Sequence, residues 1–449
     1  MPTGSSRSRA SVAWRLAPLA VGLGSLCLGA VALGRTSLST DEAESLARAR
    51  QPFGDLLHAI VHDDPVRAGH LLALKAATTF GTDAWAIRAS SVIAVAMAAA
   101  LLVVLGTMLL GRVAGLVAGV ALATNAGVVV AAREARPYAL GLAGVVVATL
   151  LLVVALDRSG AWWVPYGISC VALPLTHPLA ASVLLAHGAA LISLRDRARL
   201  RTAGIALTAS AVGGGLLLAW MVADRLHAPD GAAAPTLAHL GRGLIHAGGW
   251  SPVLAAAAIA GLIALFSGRN EHPDAWRAVL VAGLIGAPVA GTLLAAVVLP
   301  VYVGGALVLC APGISLAAGA AVPLLRSRRA LVVAGAALVV VSAVTVTARI
   351  VARPSEDWRA LATAVRRVRL PQETVVIVPE RARAAFAYYA PDVQTSAQAR
   401  GDGAWIVVVA DDPSQAIERA RQLIRTPTYA LLRQFSYGNG LRLQHWVRP

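Results

Sequence analysis

The chain has 449 residues, of which 57% are hydrophobic and only 14% charged. A soluble globular domain carries about 25% charged residues, so this composition excludes one and leaves a multispan membrane protein. The net charge of +16 comes from arginines scattered among the loops, with no basic helix or aromatic-interleaved patch, which excludes nucleic acid as the expected partner.

Apolar runs that match a hydrocarbon core of about 30 Å fall roughly at 14–34, 86–110, 113–131, 137–156, 162–176, 178–194, 202–223, 251–267, 277–300, 304–325 and 330–351. Arg7, Arg9 and Arg15 precede the first run as in a signal peptide. No small-residue cleavage site follows, and Val12–Gly34 is long enough to span, so it reads as a retained helix. The segment 162–194 reads either as two short helices or as one bent hairpin.

Alternation from a cytoplasmic N-terminus puts Arg112, Arg158, Arg195, Arg197, Arg199, Arg201, Arg269, Arg277, Arg326, Arg328 and Arg329 on inner loops. The opposite turns at Leu175–Pro178 and Val301–Gly304 hold no Lys or Arg. That asymmetry is the positive-inside pattern, and it sends the C-terminus outside a plasma membrane.

Three outer segments are too long to be connectors: Arg35–Trp85, Asp224–Trp250 and the region from Arg353. The last changes character. A helix is expected over Glu356–Val368, a strand over Thr374–Val378, a helix over Arg381–Tyr389, a strand over Trp405–Ala410 and a helix over Ser414–Arg425. The expected fold is therefore mainly α: a helical transmembrane bundle of about 11 spans over 1–352, with a small extracytoplasmic α/β domain over 353–449. Cys27, Cys170 and Cys310 each lie in an apolar run and fit neither a disulfide framework nor a zinc site.

Asp41-Glu42 stands just past the first span on the less basic side. Ser39 with Glu42 three residues on is a capping-box pattern, so two readings stand: a helix start, or carboxylates held for catalysis. Downstream, Leu46, Phe53, Leu57 and Ile60 are expected to line one face of an interfacial helix, which Pro52 bends or divides. Arg133, Glu134, Arg136 and Tyr138 surround Pro137 at the outer start of the fourth span. Pro suits the first turn of a helix, and arginines beside helix N–H groups form an anion site matched to phosphate. The plainer reading is arginines reaching for headgroups.

His177 occupies a Pro-containing corner in an apolar context. It is either a functional ionisable group or a satisfied interfacial histidine. His58, His62, Asp63, Asp64 and His70 cluster without a trusted metal spacing, so no metal ligands are assigned. Lys75, the only lysine, lies near the second span, and Tyr302 after Pro300 is an interfacial aromatic.

In this order the motifs resemble the GT-C superfamily of membrane glycosyltransferases. The nearest set is glycosyltransferase family 39 and its bacterial relatives, the dolichyl-phosphate-mannose protein mannosyltransferases and aminoarabinose-transferase-like enzymes. The resemblance rests on Asp41-Glu42, Asp64-Pro65-Val66, Phe80-Gly81 and Arg88, then Glu134-Ala135-Arg136-Pro137-Tyr138 and His177. It continues through Pro300 with Tyr302 and Glu356-Asp357-Trp358-Arg359, and so covers nearly the whole chain.

The resemblance implies a polyprenyl-phosphate sugar donor, an envelope acceptor (glycan, lipid or protein) and inverting transfer on the extracytoplasmic side. It implies Asp41 as general base beside Glu42, with Lys75, Arg133, Glu134, Arg136, Tyr138, His177 and Tyr302 binding substrate. The lipid-linked donor is needed and no cofactor is; a divalent metal has no support. Relatives often carry Pro-Pro and a tyrosine where this chain has Pro65-Val66 and His70, and an arginine at the position of Val301. The alternatives are a multispan transporter or lipid flippase, and a catalytically degenerate GT-C scaffold.

Overall fold

Helices occupy each of the runs expected to span. The computed structural model describes residues 4–194, 197–223, 236–267, 275–298, 304–352, 356–400, 402–410, 413–424, 429–438 and 440–448. Among the described residues, six helices are long and apolar enough to cross a membrane: Ala84–Leu110, Tyr138–Arg158, Leu200–Trp220, Ala275–Val297, Gly305–Leu324 and Arg328–Val351. Two further pairs are bent, Arg112–Ala123 with Ala126–Ala132 by 57° and Leu237–Ala247 with Pro252–Phe266 by 96°. Counting each pair as one gives up to eight. Trp163–Thr176 has 14 residues, about 21 Å of helix, and so falls short of the hydrocarbon thickness alone.

The described residues divide into two compact units. The first comprises Met1–Val31, Leu57–His70 and Arg88–Ile350. Within it the candidate span Gly305–Leu324 is 78% buried, whereas Leu200–Trp220 and Arg328–Val351 are 17% buried. Helices this apolar can leave such faces bare only where lipid replaces water. Close packing relies on small residues, as in membrane helix interfaces generally. A Cβ at Gly261 would sit 1.7 Å from the Ala317 carbonyl oxygen, and one at Gly115 2.4 Å from the Thr107 nitrogen.

One fully buried polar cluster joins three helices. Thr149 Oγ1 donates to the Val145 carbonyl at 2.7 Å, so it accepts from His187 Nε2 at 3.1 Å. That tautomer leaves His187 Nδ1 to accept from the Tyr166 hydroxyl at 3.2 Å. Every member is satisfied, which makes the cluster a packing device rather than a reactive site.

The second unit comprises Ala32–Leu56, Leu71–Ile87 and Val351–Pro449. Its sheet contains β1 (Thr374–Val378), β2 (Thr395–Ser396), β3 (Gly403–Val409), β4 (Ala430–Ser436) and β5 (Leu441–Val447), in the order β2-β1-β3-β5-β4. β2, β1 and β3 run parallel, while β5 and β4 are antiparallel additions. β1 and β3 read as unbroken apolar runs because both of their faces are covered. Val376, Ile406, Val408 and Trp446 pack with Ala416 and Ala420 of the helix Pro413–Leu423 and with Ile424 just past its end.

The stripe expected to lie in the interface is corrected. Phe53, Leu57 and Val61 are the exposed apolar side chains of the helix Phe53–His62, whereas Leu46 and Ile60 are buried. Phe53, Leu57 and Val61 recur every four residues and form one face, while Ile60 turns inward with Leu56.

Glu373 ties down the start of β1. Oε2 accepts from the Leu370 amide at 2.9 Å and from Trp405 Nε1 at 2.8 Å, while Oε1 lies 2.8 Å from His445 Nε2. The Trp405 and His445 rings, opposite one another on β3 and β5, stack at 4.1 Å. Burial acts to raise the Glu373 pKa, but these hydrogen bonds outweigh it and leave the carboxyl below its ordinary 4.5. A depressed carboxylate pKa contributes stability that is fully present above the unfolded value and lost as pH falls through the folded one. The second unit is accordingly expected to weaken below about pH 4.5. Glu373→Ala, which strips the buried Trp405 indole of its acceptor, is expected to cost about 1–3 kcal/mol. Amide exchange along β1 and β3 against pH checks both; unchanged protection in Glu373→Ala would contradict them.

Candidate active site

The helix Thr40–Ala49 carries the leading carboxylates in the second unit. Ser39 caps it: its amide donates to Glu42 Oε2 at 2.9 Å, and its hydroxyl accepts from the Glu42 amide at 3.4 Å. Glu42 is buried and closes this capping box. Asp41, one residue earlier in the same turn, is half-buried. The two carboxylates therefore differ in office: one builds the turn, and the other stands on it.

The chain leading into this turn is anchored within the same unit. Glu356 Oε2 accepts from the Thr40 amide at 2.7 Å, the Thr40 hydroxyl at 2.6 Å and Trp358 Nε1 at 2.7 Å. Ser37 Oγ donates to the Glu356 carbonyl at 2.7 Å, and the Leu38 amide donates to the Tyr389 hydroxyl at 2.7 Å. Lys75, on the helix Ala68–Ala77, donates from Nζ to the Gln51 carbonyl at 2.6 Å. An ammonium has three donors, so this contact leaves it capable of meeting an anion.

The cationic candidates belong to the first unit. Arg133 ends the helix Ala126–Ala132, and its Nη1 donates to the Val31 carbonyl, with the Gly29 carbonyl at 3.5 Å. Burial, and then the neighbouring Arg88 guanidinium, lower the Arg133 pKa. Arginine remains charged under such shifts. Arg88 is buried; sequence reasoning placed it in a motif without a role. Arg136 Nε lies 3.6 Å from Glu134 Oε2, both partly exposed.

Pro137 caps the helix Tyr138–Arg158, and the Tyr138 ring lies 5.5 Å from the His177 ring. His177 turns the corner between Trp163–Thr176 and Pro178–Ser182 in extended conformation. Its Nδ1 accepts from the Leu179 amide at 3.1 Å, so the neutral ring carries its proton on Nε2. A Cβ at Gly141 would lie 2.7 Å from the His177 Cβ, and one at Gly69 2.3 Å from the Leu175 carbonyl oxygen. These glycines let the helix Tyr138–Arg158 and the 57–70 segment approach the His177 corner.

Asp64 is buried in an ion pair with Arg67. No group of three or more His, Cys, Asp or Glu side chains able to hold a metal occurs among the described residues. Tyr302, with Pro300 and Val301, lies outside those residues.

Sequence reasoning missed Asn125. It separates the halves of the first bent pair, accepts from the Gly127 and Val128 amides at 2.9 and 3.2 Å, and donates to the Ala247 carbonyl at 2.7 Å. It thus staples one helix break to the other. The polar pair Thr124-Asn125 inside an apolar run was the available signal.

No protein-family model and no curated protein sequence matches this chain. Solved structures do. ArnT from Cupriavidus metallidurans bound to undecaprenyl phosphate superposes with a TM-score of 0.63 at 12% identity, covering 96% of this chain and 98% of that one. The apo state gives 0.61 at 12% identity over 97% and 98%. The apo oligosaccharyltransferase of Archaeoglobus fulgidus gives 0.55 at 11% identity, over 83% of this chain and 64% of that one. The chain shares its fold with these structures. This is a multispan membrane architecture with a small C-terminal α/β sheet.

Proposed function

We propose that the chain is an integral membrane glycosyltransferase that moves a sugar from a polyprenyl-phosphate donor to an envelope acceptor, with inversion, on the extracytoplasmic side of the plasma membrane. The observation that carries this reading is the likeness to ArnT across nearly the full length of both chains. That structure was solved with undecaprenyl phosphate bound. In this reading the N-terminus is cytoplasmic, about eleven segments cross, and the C-terminal domain is extracytoplasmic.

Asp41 takes the proton of the acceptor hydroxyl as its oxygen attacks the anomeric carbon from the face opposite the phosphate. The bond from that carbon to the phosphate oxygen breaks with its electron pair, and polyprenyl phosphate departs. A phosphate leaving group needs no proton, so one base and several cations suffice. Arg133, Arg136 and Lys75 neutralise the phosphate, and Glu134 orients the Arg136 guanidinium. Tyr138 and His177, with Nε2–H free of the backbone contact that engages Nδ1, border the sugar. Glu42 acts by fixing the turn that carries Asp41. Sealed vesicles separate transfer from transport: release of polyprenyl phosphate supports the reading, and donor crossing with its sugar–phosphate bond intact contradicts it.

A further inference from the structure

The C-terminal domain of such a chain invites the reading of an appendage, yet its first residues reach back over more than three hundred positions to the turn that holds Asp41. Resting on the proposed role of Asp41, we infer that Glu356 is a positioning residue for it, and that the C-terminal domain is thereby an integral part of the catalytic apparatus.

Three donors converge on a single Glu356 oxygen: the Thr40 amide at 2.7 Å, the Thr40 hydroxyl at 2.6 Å and the Trp358 indole at 2.7 Å. Thr40 immediately precedes Asp41. Its amide is among the donors that a helix start leaves without intrahelical partners, and here a carboxylate from a distant segment receives it. Hydrogen bonds to a charged acceptor are shorter and about twice as strong as neutral ones. The Thr40 hydroxyl is fixed by the same oxygen, so both the backbone and the side chain of the residue before Asp41 are held.

Trp358 is fully buried, so the oxygen that binds Thr40 is itself locked to the domain core through the indole. Four further hydrogen bonds act along the preceding chain. Arg359 donates to the Arg35 and Gly34 carbonyls at 3.3 and 3.4 Å, and the Tyr389 hydroxyl receives the Leu38 amide. Ser37 binds the Glu356 backbone. The segment from Gly34 to Thr40 is thus held at Gly34, Arg35, Ser37, Leu38 and Thr40, with the carboxylate of Glu356 at the end nearest Asp41. The capping box of Ser39 and Glu42 sets the local turn, whereas Glu356 sets where that turn stands on the domain.

A general base displaced by about 1 Å can lose on the order of a hundredfold in rate. Glu356→Ala is therefore expected to lower donor turnover about 10- to 100-fold with the donor KM within about twofold. Amide exchange at Leu38–Thr40 in the full-length, ligand-free protein should accelerate about tenfold. Glu356→Gln, whose carbonyl oxygen accepts the same donors, should restore most of both. Thr40→Val, which removes only the hydroxyl, should shift both in the same direction by less, and it stands in if Glu356→Ala does not fold. Asp392→Asn, which alters the exposed pair with Arg366 in the same domain, is the unaffected control.

Unchanged exchange at Leu38–Thr40 overturns the clamp. Faster exchange with normal turnover, while Asp41→Asn is inactive, overturns the positioning role and leaves the base intact. Normal turnover by Asp41→Asn overturns the base reading and with it the catalytic purpose given to Glu356, while exchange separately decides whether the clamp exists.

Discussion

Asp41→Asn is expected to reduce donor turnover by about two to four orders of magnitude, the usual worth of a general base. Asparagine keeps the size of the side chain and its hydrogen-bonding shape but cannot accept the acceptor's proton. The capping box of Ser39 and Glu42 and the hold of Glu356 on Thr40 do not involve the Asp41 side chain and remain in the variant. The loss should therefore fall on kcat, with donor KM little altered, since the base acts mainly in the transition state. Steady-state donor consumption by purified variant and wild type reads this directly. A well-folded Asp41→Asn protein turning over within about threefold of wild type would fall far short of the effect of removing a base.

Arg136→Ala is expected to lower kcat/KM by about 10²- to 10³-fold, the effect of removing one preorganised donor from a developing negative charge. Arg133 is a mixed probe, because its guanidinium also holds the Val31 and Gly29 carbonyls. Truncating Arg133 would mix a lost phosphate contact with a loosened helix end. Arg136→Lys should recover only part of the rate, because an ammonium cannot present the planar fork that grips two phosphate oxygens. In the proposed site Glu134, 3.6 Å from Arg136 and partly exposed like it, serves to orient the guanidinium and is too wet to neutralise it strongly. Kinetics of the two Arg136 variants side by side decide the matter. Equal recovery by lysine would point to bulk charge, and wild-type kinetics in Arg136→Ala would remove the residue from the site.

Local patterns were legible in the sequence. The unbroken Val-Val-Ile-Val run gave β1 with its observed ends, and the Ser39–Glu42 spacing gave the capping box. The β4–β5 hairpin was missed although Gly438 and Gly440, turn-forming residues, stand between its strands. β4 is an edge strand with a mostly exposed, mixed pattern, and such strands give weak periodicity. The interfacial stripe was misassigned at Leu46 and Ile60, because apolar spacing says that a face exists but not which face the rest of the chain covers.

Breaks within spans follow the same logic. Overall hydropathy runs straight through Asn125, and its cap on Gly127 and Val128 together with its partner at Ala247 explains why a polar residue is tolerated there. The hardest features were long-range. Nothing near Glu356 announces that its oxygen will meet Thr40, since that contact depends on the tertiary fold and not on local spacing. The Tyr138–His177 pairing is likewise a product of two glycine-lined approaches that no periodicity encodes.

The central claim is that this fold cleaves a phosphate-linked sugar borne on a polyprenyl lipid. Purified full-length protein incubated with a panel of undecaprenyl-phosphate-linked sugars and envelope extract, followed by mass spectrometry of each lipid, tests it most directly. The account predicts that one donor disappears while free undecaprenyl phosphate rises in equal amount. Every donor remaining intact in the presence of folded protein and acceptor would contradict it.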